Sequence, residues 1–171
     1  VENYKTVLNG IQLVVADIGA RGGSKSIWDS SLNTIVKYIF FEPESKEYKK
    51  LTKNYGDGAI VIPAAVWCES GLKDLYITKN KSQSSLLKPN TKVIKDSLNF
   101  NKGFYDIEKV EKIECDTLES LILKNNCRFP DFIKIDIQGG EKFVFNSFSS
   151  STWERIIGVD TEAYSSNLYK N

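Results

Sequence analysis

Short apolar segments separated by polar, helix-suited stretches set the rhythm of the chain. LVVAD (13–17), IVKYIFFE (35–42), AIVIPAAV (59–66), DFIKIDI (131–137) and RIIGVDTE (155–162) are rich in Val, Ile and Phe. Near-continuous apolarity of this kind marks strands buried on both faces of a parallel sheet. Between them SIWDSSLNTI (26–35), ESKEYKKLTKNY (44–55), DTLESLILKNN (116–126) with Asp116 as its cap, and GEKFVFNSF (140–148) suit helices. The alternation predicts an α/β fold, a mostly parallel twisted sheet with right-handed crossovers and flanking helices.

Residues 73–113 break that rhythm. They are polar and lysine-rich, with two short alternating segments, DLYIT (74–78) and KVEKIEC (109–115). The pattern predicts an inserted antiparallel hairpin with a long loop, and such loops often carry function.

Composition narrows the class. A chain of 171 residues that is 41% hydrophobic has the core for one domain and too little for two. Its 23 basic and 22 acidic side chains nearly cancel, so no nucleic-acid footprint stands out. No apolar run reaches the roughly 20 residues of a membrane span. Three cysteines without a CxxC pair, and no histidine, give no zinc site and point to a reducing, cytoplasmic setting. A start at Val1 with no methionine anywhere suggests an excerpt of a longer chain, leaving fusion to other domains or a homo-oligomer open.

LVVADIGARGG (13–23) is the densest candidate for chemistry. In an open parallel sheet, ligands bind beyond the carboxyl ends of the strands at the switch point, where Gly19, Gly22 and Gly23 would lie. A dinucleotide fingerprint fails here: counting GxGxxG from Gly19 meets Arg21 and Ser24 where glycines are needed. An NAD-linked oxidoreductase is thereby disfavoured. Asp17, just before the turn, repels a pyrophosphate and suits a cationic amino group. Glu42 ends the second strand 19 positions beyond Gly23, where an acid can accept both ribose hydroxyl protons. The competing account of Glu42 is a solvated acid before a helix beginning at Pro43. An amino acid joined to a ribose, with no phosphate cradle, describes S-adenosylmethionine.

DIGARGG (17–23), FEPE (41–44), SSLL (84–87), DTLESL (116–121), DFIKIDIQGGE (131–141) and GVDTEAYSSNLY (158–169) resemble, in order and spacing, the FkbM-type family of S-adenosylmethionine-dependent methyltransferases. The resemblance implies a Rossmann-like methyltransferase fold that normally finishes with an antiparallel strand pair, which this chain lacks room for after its fifth strand. It places Asp17, Gly19, Ala20, Arg21 and Gly23 around the methionine part of the cofactor. Glu42, followed by Pro43, would meet the ribose, and Ala65 and Val66 in AAVW the adenine. Asp136 and Gln138 would sit beside the reacting methyl. The implied reaction is methylation of a hydroxyl on a sugar, glycan or secondary metabolite, by in-line transfer.

An alcohol acceptor must lose its proton, and without histidine the candidate bases are Asp136, Glu141 and Glu162, with Lys134 less favoured. Asp136 competes with a role as cap of the helix near Gly140, Glu141 with a helix-dipole role, and Glu162 with a surface position. Asp136, Glu141, Asp160 and Glu162 offer an alternative, a divalent cation that acidifies the acceptor hydroxyl; they show no compact ligand motif, and the balance leans to no metal. Arg21 is either a bidentate partner for the methionine carboxylate or a solvent-facing side chain. Trp28, Trp67, Trp153 and Tyr164 are either stacking surfaces or core. A rival of another class is a non-catalytic accessory domain that keeps the nucleotide pocket within a larger glycan-building protein.

Overall fold

The computed structural model describes residues 10–23, 35–96 and 103–170. The helix expected at 26–35 and Trp28 lie outside the described residues, apart from Ile35.

Strands β1 (Leu13–Ile18), β2 (Val36–Phe41) and β3 (Ala59–Ile62) pair in parallel, and β7 (Phe132–Ile135) and β8 (Gly158–Thr161) extend the sheet on the other side of β1. The order β3-β2-β1-β7-β8 places the switch point between β1 and β7. Period-2 alternation divides the apolar side chains. Val14, Ala16, Ile18, Ile39 and Phe41 join one core; Val15, Tyr38 and Phe40 join another with Leu51 of α1 (Ser45–Tyr55). Burial on both faces explains why these strands read as continuous apolar runs. The fold is α/β and Rossmann-like.

AIVIPAAV (59–66) is two elements rather than one strand. Pro63 has no N–H to continue the ladder. β3 therefore stops at Ile62, and β4 (Ala65–Val66) joins a second sheet, ordered β4-β6-β5. In that sheet β5 (Gly71–Thr78) and β6 (Ile107–Asp116) form a long antiparallel pair; β5 starts before DLYIT, and β6 runs beyond KVEKIEC at both ends. A short helix, α2 (Thr91–Asp96), lies in the connection between them.

The expected cap of α3 (Leu118–Lys124) moves by one residue. Thr117 is the N-cap, its side chain accepting from Ser120 N, while Asp116 ends β6. Asp116 is buried and accepts from Ser70 Oγ (2.5 Å), Thr117 N (2.8 Å), Ser120 Oγ (2.7 Å) and Lys124 Nζ (2.6 Å). Burial alone would raise its pKa; these donors outweigh it and hold the carboxyl well below the usual range. Asp116→Ala is expected to cost about 3 kcal/mol, since several charge-assisted bonds go at once. Its folded pKa is depressed, so that stabilisation is present above the unfolded value of about 4 and is lost as pH falls further. Thermal melts of both proteins at neutral and acidic pH check this, with the gap in Tm closing in acid.

GEKFVFNSF (140–148) forms one helix, and a separate short one follows it. α4 (Glu141–Asn146) ends before Ser147, and α5 (Ser150–Trp153) starts anew under a Ser149 cap. Among the described residues no antiparallel strand follows β8. The chain instead returns to the insert, where Lys170 N donates to Lys88 O (2.8 Å) and Asn90 N to Leu168 O (2.8 Å). Leu168 and Tyr169 are buried there with Ile94 and Tyr105. No helix among the described residues is long and apolar enough to cross a membrane.

Candidate active site

At the carboxyl end of β1 the chain turns through Gly19 (φ 82°), Gly22 (φ 78°) and Gly23 (φ 78°). A Cβ on Gly19 would collide with the Asp136 carbonyl, so glycine lets the β1 and β7 ends meet. The turn is fixed from below: Gly19 N and Ala20 N donate to Phe41 O (3.1 and 3.3 Å), and Gly22 N to Glu47 Oε1 (3.2 Å). Arg21 lines the cavity and does not extend into open solvent. Its guanidinium lies 3.1 Å from Glu44 and 3.6 Å from Glu47, tying the turn to the start of α1.

That helix begins at Ser45, with Glu44 as N-cap, rather than at Pro43. Glu42 is not a solvated acid. It is 4% exposed; its Oε1 accepts from Glu44 N (2.8 Å), and its other oxygen has no partner among the described residues. Burial raises its pKa to about 7, against the lowering effect of the Glu44 N–H and the Arg21 charge.

Beyond β7, Gln138 takes a left-handed conformation (φ 61°) and becomes the centre of a polar network. Its Nε2 donates to Asp136 Oδ1 (2.7 Å) and Glu162 Oε2 (3.3 Å). Its Oε1 faces the Tyr164 hydroxyl (2.7 Å) and the Tyr169 hydroxyl (3.0 Å). From the insert, Ser85 Oγ donates to Gln138 O (2.9 Å), locking the loop that carries Asp136. Asp136 is half-buried, and burial raises its pKa, opposed by the Gln138 hydrogen bond and reinforced by Glu162. It caps no helix: Gly140 holds the N-cap position of α4 and makes no side-chain cap bond.

These pieces enclose one cavity of about 460 Å³, within the usual range for small-molecule sites. Gly19, Arg21, Gly23, Glu42 and Pro43 line it. Val66, Asp136, Gln138 and Glu162 also line it, as do Trp67 and Tyr164. Trp67 is also core, stacked on Phe143 at 5.1 Å between ring centroids. Asp17, Ala20, Ala65 and Glu141 are among the residues singled out from the sequence that lie outside the lining. Ala20 and Ala65 are buried, and Asp17 sits behind Lys134, bonded to its Nζ at 2.9 Å. Glu141 is buried with its Oε1 accepting from Ile137 N (2.9 Å), so it braces the loop rather than facing the cavity. Trp153, half-exposed, packs on Phe145 and Phe148 away from the site. Sequence reasoning did not single out Tyr105 or Gln83, which the insert brings to the cavity wall; no local pattern marks them. No cluster of three or more His, Cys, Asp or Glu suited to a metal occurs among the described residues.

A family model described as the methyltransferase FkbM domain matches residues 17–171, from the carboxylate before the glycine turn to the last residue. No curated protein and no solved structure gives a significant match. With its glycine turn and strand-end carboxylates inside that match, which covers most of the chain, the chain belongs to the FkbM methyltransferase domain family.

Proposed function

We propose that the protein transfers a methyl group from S-adenosylmethionine to a hydroxyl of a sugar, glycan or secondary metabolite. The observation that carries the cofactor is Glu42. A buried carboxylate with one unpartnered oxygen, at the end of β2 and in the cavity wall, is costly unless a ligand supplies donors. A ribose diol supplies two. The glycine turn leaves backbone at the cavity wall without side chains in the way, which suits the amino-acid end of the same ligand.

When bound, the cofactor supplies an electrophilic methyl on a sulfonium. The chain's own residues then have three tasks. Glu42 and the turn orient the ligand along the strand ends. Asp136, whose Oδ1 is held by Gln138, keeps Oδ2 for the acceptor's hydroxyl proton. Its raised pKa brings it nearer to working pH as a base. Glu162, exposed at the rim, and Tyr164 face the acceptor side, where the 81–86 segment of the insert completes the wall. Three free cysteines agree with work in a reducing compartment such as the cytoplasm.

The pH dependence of cofactor binding tests this reading. A diol needs ionised Glu42, whose pKa in the free protein is about 7. Affinity for S-adenosylhomocysteine should be level above that value and fall by up to about tenfold per pH unit below it. For folding the sign is opposite. The raised pKa makes this group's contribution fully favourable below about 4.5, and that contribution is lost as pH rises through about 7. Titration calorimetry from about pH 5.5 to about pH 8.5 gives the profile; a flat profile would remove Glu42 from the ribose.

A further inference from the structure

Resting on the methyl-transfer reading, we propose that the acceptor carries a protonated amine beside the hydroxyl that is methylated, as an amino sugar does, and that Glu162 with Tyr164 receives that ammonium. The charges of the cavity wall are the ground for it. Among the described residues three cations line the cavity, and each already has an acid. Arg21 has Glu44 (3.1 Å) and Glu47 (3.6 Å), Lys81 has Glu108, and Lys134 has Asp17 (2.9 Å). Three carboxylates line it too, Glu42, Asp136 and Glu162, and none of them forms an ion pair among the described residues. Their partners are the Glu44 N–H, the Gln138 amide and the Tyr164 hydroxyl, all uncharged. Cations with partners and acids without them leave a negative field in the cavity, which favours a cationic ligand and opposes an anionic one. The lysines of the insert do not reverse it: Lys73, Lys79, Lys81, Lys109 and Lys112 are each ion-paired.

The three acids serve different parts of the bound pair. Glu42, at the end of β2, goes to the ribose. Asp136 and Glu162 are joined through one amide, Gln138 Nε2 donating to Asp136 Oδ1 (2.7 Å) and to Glu162 Oε2 (3.3 Å). Each keeps its other oxygen without a partner among the described residues. With Asp136 as the base, Glu162 Oε1 is left as a charged acceptor close to the reacting hydroxyl. The Tyr164 hydroxyl lies 2.7 Å from Glu162 Oε2, which sets an aromatic side chain of the cavity wall beside that carboxylate. Tyr105 lines the cavity as well, and the buried Tyr169 packs against both rings, at 6.1 Å and 6.3 Å between centroids. A carboxylate among tyrosines is the chemistry that holds an ammonium, by ion pairing and by cation–π attraction. A neutral polyol would use the oxygen but not its charge. A uronic acid or a phosphate ester would meet two unneutralised acids. The amine stays out of the transfer: the methyl leaves sulfur for the hydroxyl oxygen, whose proton goes to Asp136, and the nitrogen remains protonated.

The test uses wild type and Glu162→Gln with labelled S-adenosylmethionine and three forms of one sugar ring: methyl glucosaminide, methyl glucoside and methyl glucuronide, which are cationic, neutral and anionic. For wild type the expected order of kcat/KM is amine, neutral, acid, with the amine about tenfold above the glucoside. In Glu162→Gln the ratio of amine to glucoside should fall to within about twofold, whatever the overall rate of the variant. A probe that is not turned over is ranked by its binding to protein saturated with S-adenosylhomocysteine, read by saturation-transfer NMR. Wild type that prefers the glucoside or the glucuronide, or ranks all three alike, overturns the proposal whether or not the variant folds. An amine preference that survives Glu162→Gln overturns it too, because another group then holds the ammonium. So does label found on nitrogen, which would make the amine the acceptor. A protein that binds S-adenosylhomocysteine but neither binds nor methylates any probe overturns this assignment and leaves the cofactor reading standing; one that binds no S-adenosylhomocysteine removes both.

Discussion

Glu42→Ala should abolish measurable binding of S-adenosylhomocysteine, a loss of about 100-fold or more, while leaving the fold intact. Two charge-assisted hydrogen bonds to a diol in a buried setting are worth about 1.5–3 kcal/mol each, which sets that scale. The cost to the free protein is small by the same reasoning. Glu44 N loses its acceptor, but a carboxyl whose pKa is pushed up to about 7 by burial also ceases to be a burden. The expected Tm at pH 8 is therefore equal to or above that of wild type. Glu42→Gln should fall between the two, because an amide oxygen accepts hydrogen bonds without the charge. Calorimetry and melting on the same samples separate this from damage to the fold: lost binding with a lowered Tm would mean Glu42 is a structural brace for Glu44.

Asp136→Asn should lower turnover by about 10²–10⁴-fold and change S-adenosylhomocysteine affinity by no more than a few-fold. The amide keeps the size of the side chain but cannot take a proton. Glu162→Gln should cost less, about tenfold, because the carboxylate is exposed and shares its oxygen with Gln138 and Tyr164. Transfer of labelled methyl to a panel of sugar and polyol hydroxyls reads both. Turnover should also rise with pH through the raised pKa of Asp136 in wild type, and the Asn variant should lack that limb. Unchanged turnover in both variants, with binding retained, would favour the accessory binding domain over the enzyme.

What the sequence made legible was local. The turn at Gly19–Gly23 and the carboxylate at Glu42 follow from short-range rules: glycines allow the turn, and a strand end exposes its last side chain to the ligand side of the sheet. Strands β1 and β2 were legible because burial on two faces leaves a continuous apolar signature. Pro63 carried a readable signal that AIVIPAAV could not be one strand, and its apolar composition masked it.

The remainder depends on contacts between distant positions. Asp17 meets Lys134 through strand register, which no spacing reveals. Arg21 is taken up by Glu44 and Glu47, because α1 brings two acids under the turn. Glu141 looked like Asp136 in sequence, an acid near a strand end. Its backbone partner, Ile137 N, turns it inward, whereas Gln138 holds Asp136 at the cavity. The left-handed Gln138 is likewise unreadable, since that conformation is rare outside glycine and is held here by Ser85 and two tyrosines from other segments.

The most direct test of the central claim is titration of the wild-type protein with S-adenosylhomocysteine near pH 8, with NADH titrated in parallel. The expected result is one-to-one binding of S-adenosylhomocysteine in the micromolar range and no heat with NADH. A folded protein that gives no heat with S-adenosylhomocysteine, or that prefers NADH, would contradict the assignment of this cavity to a methyl donor.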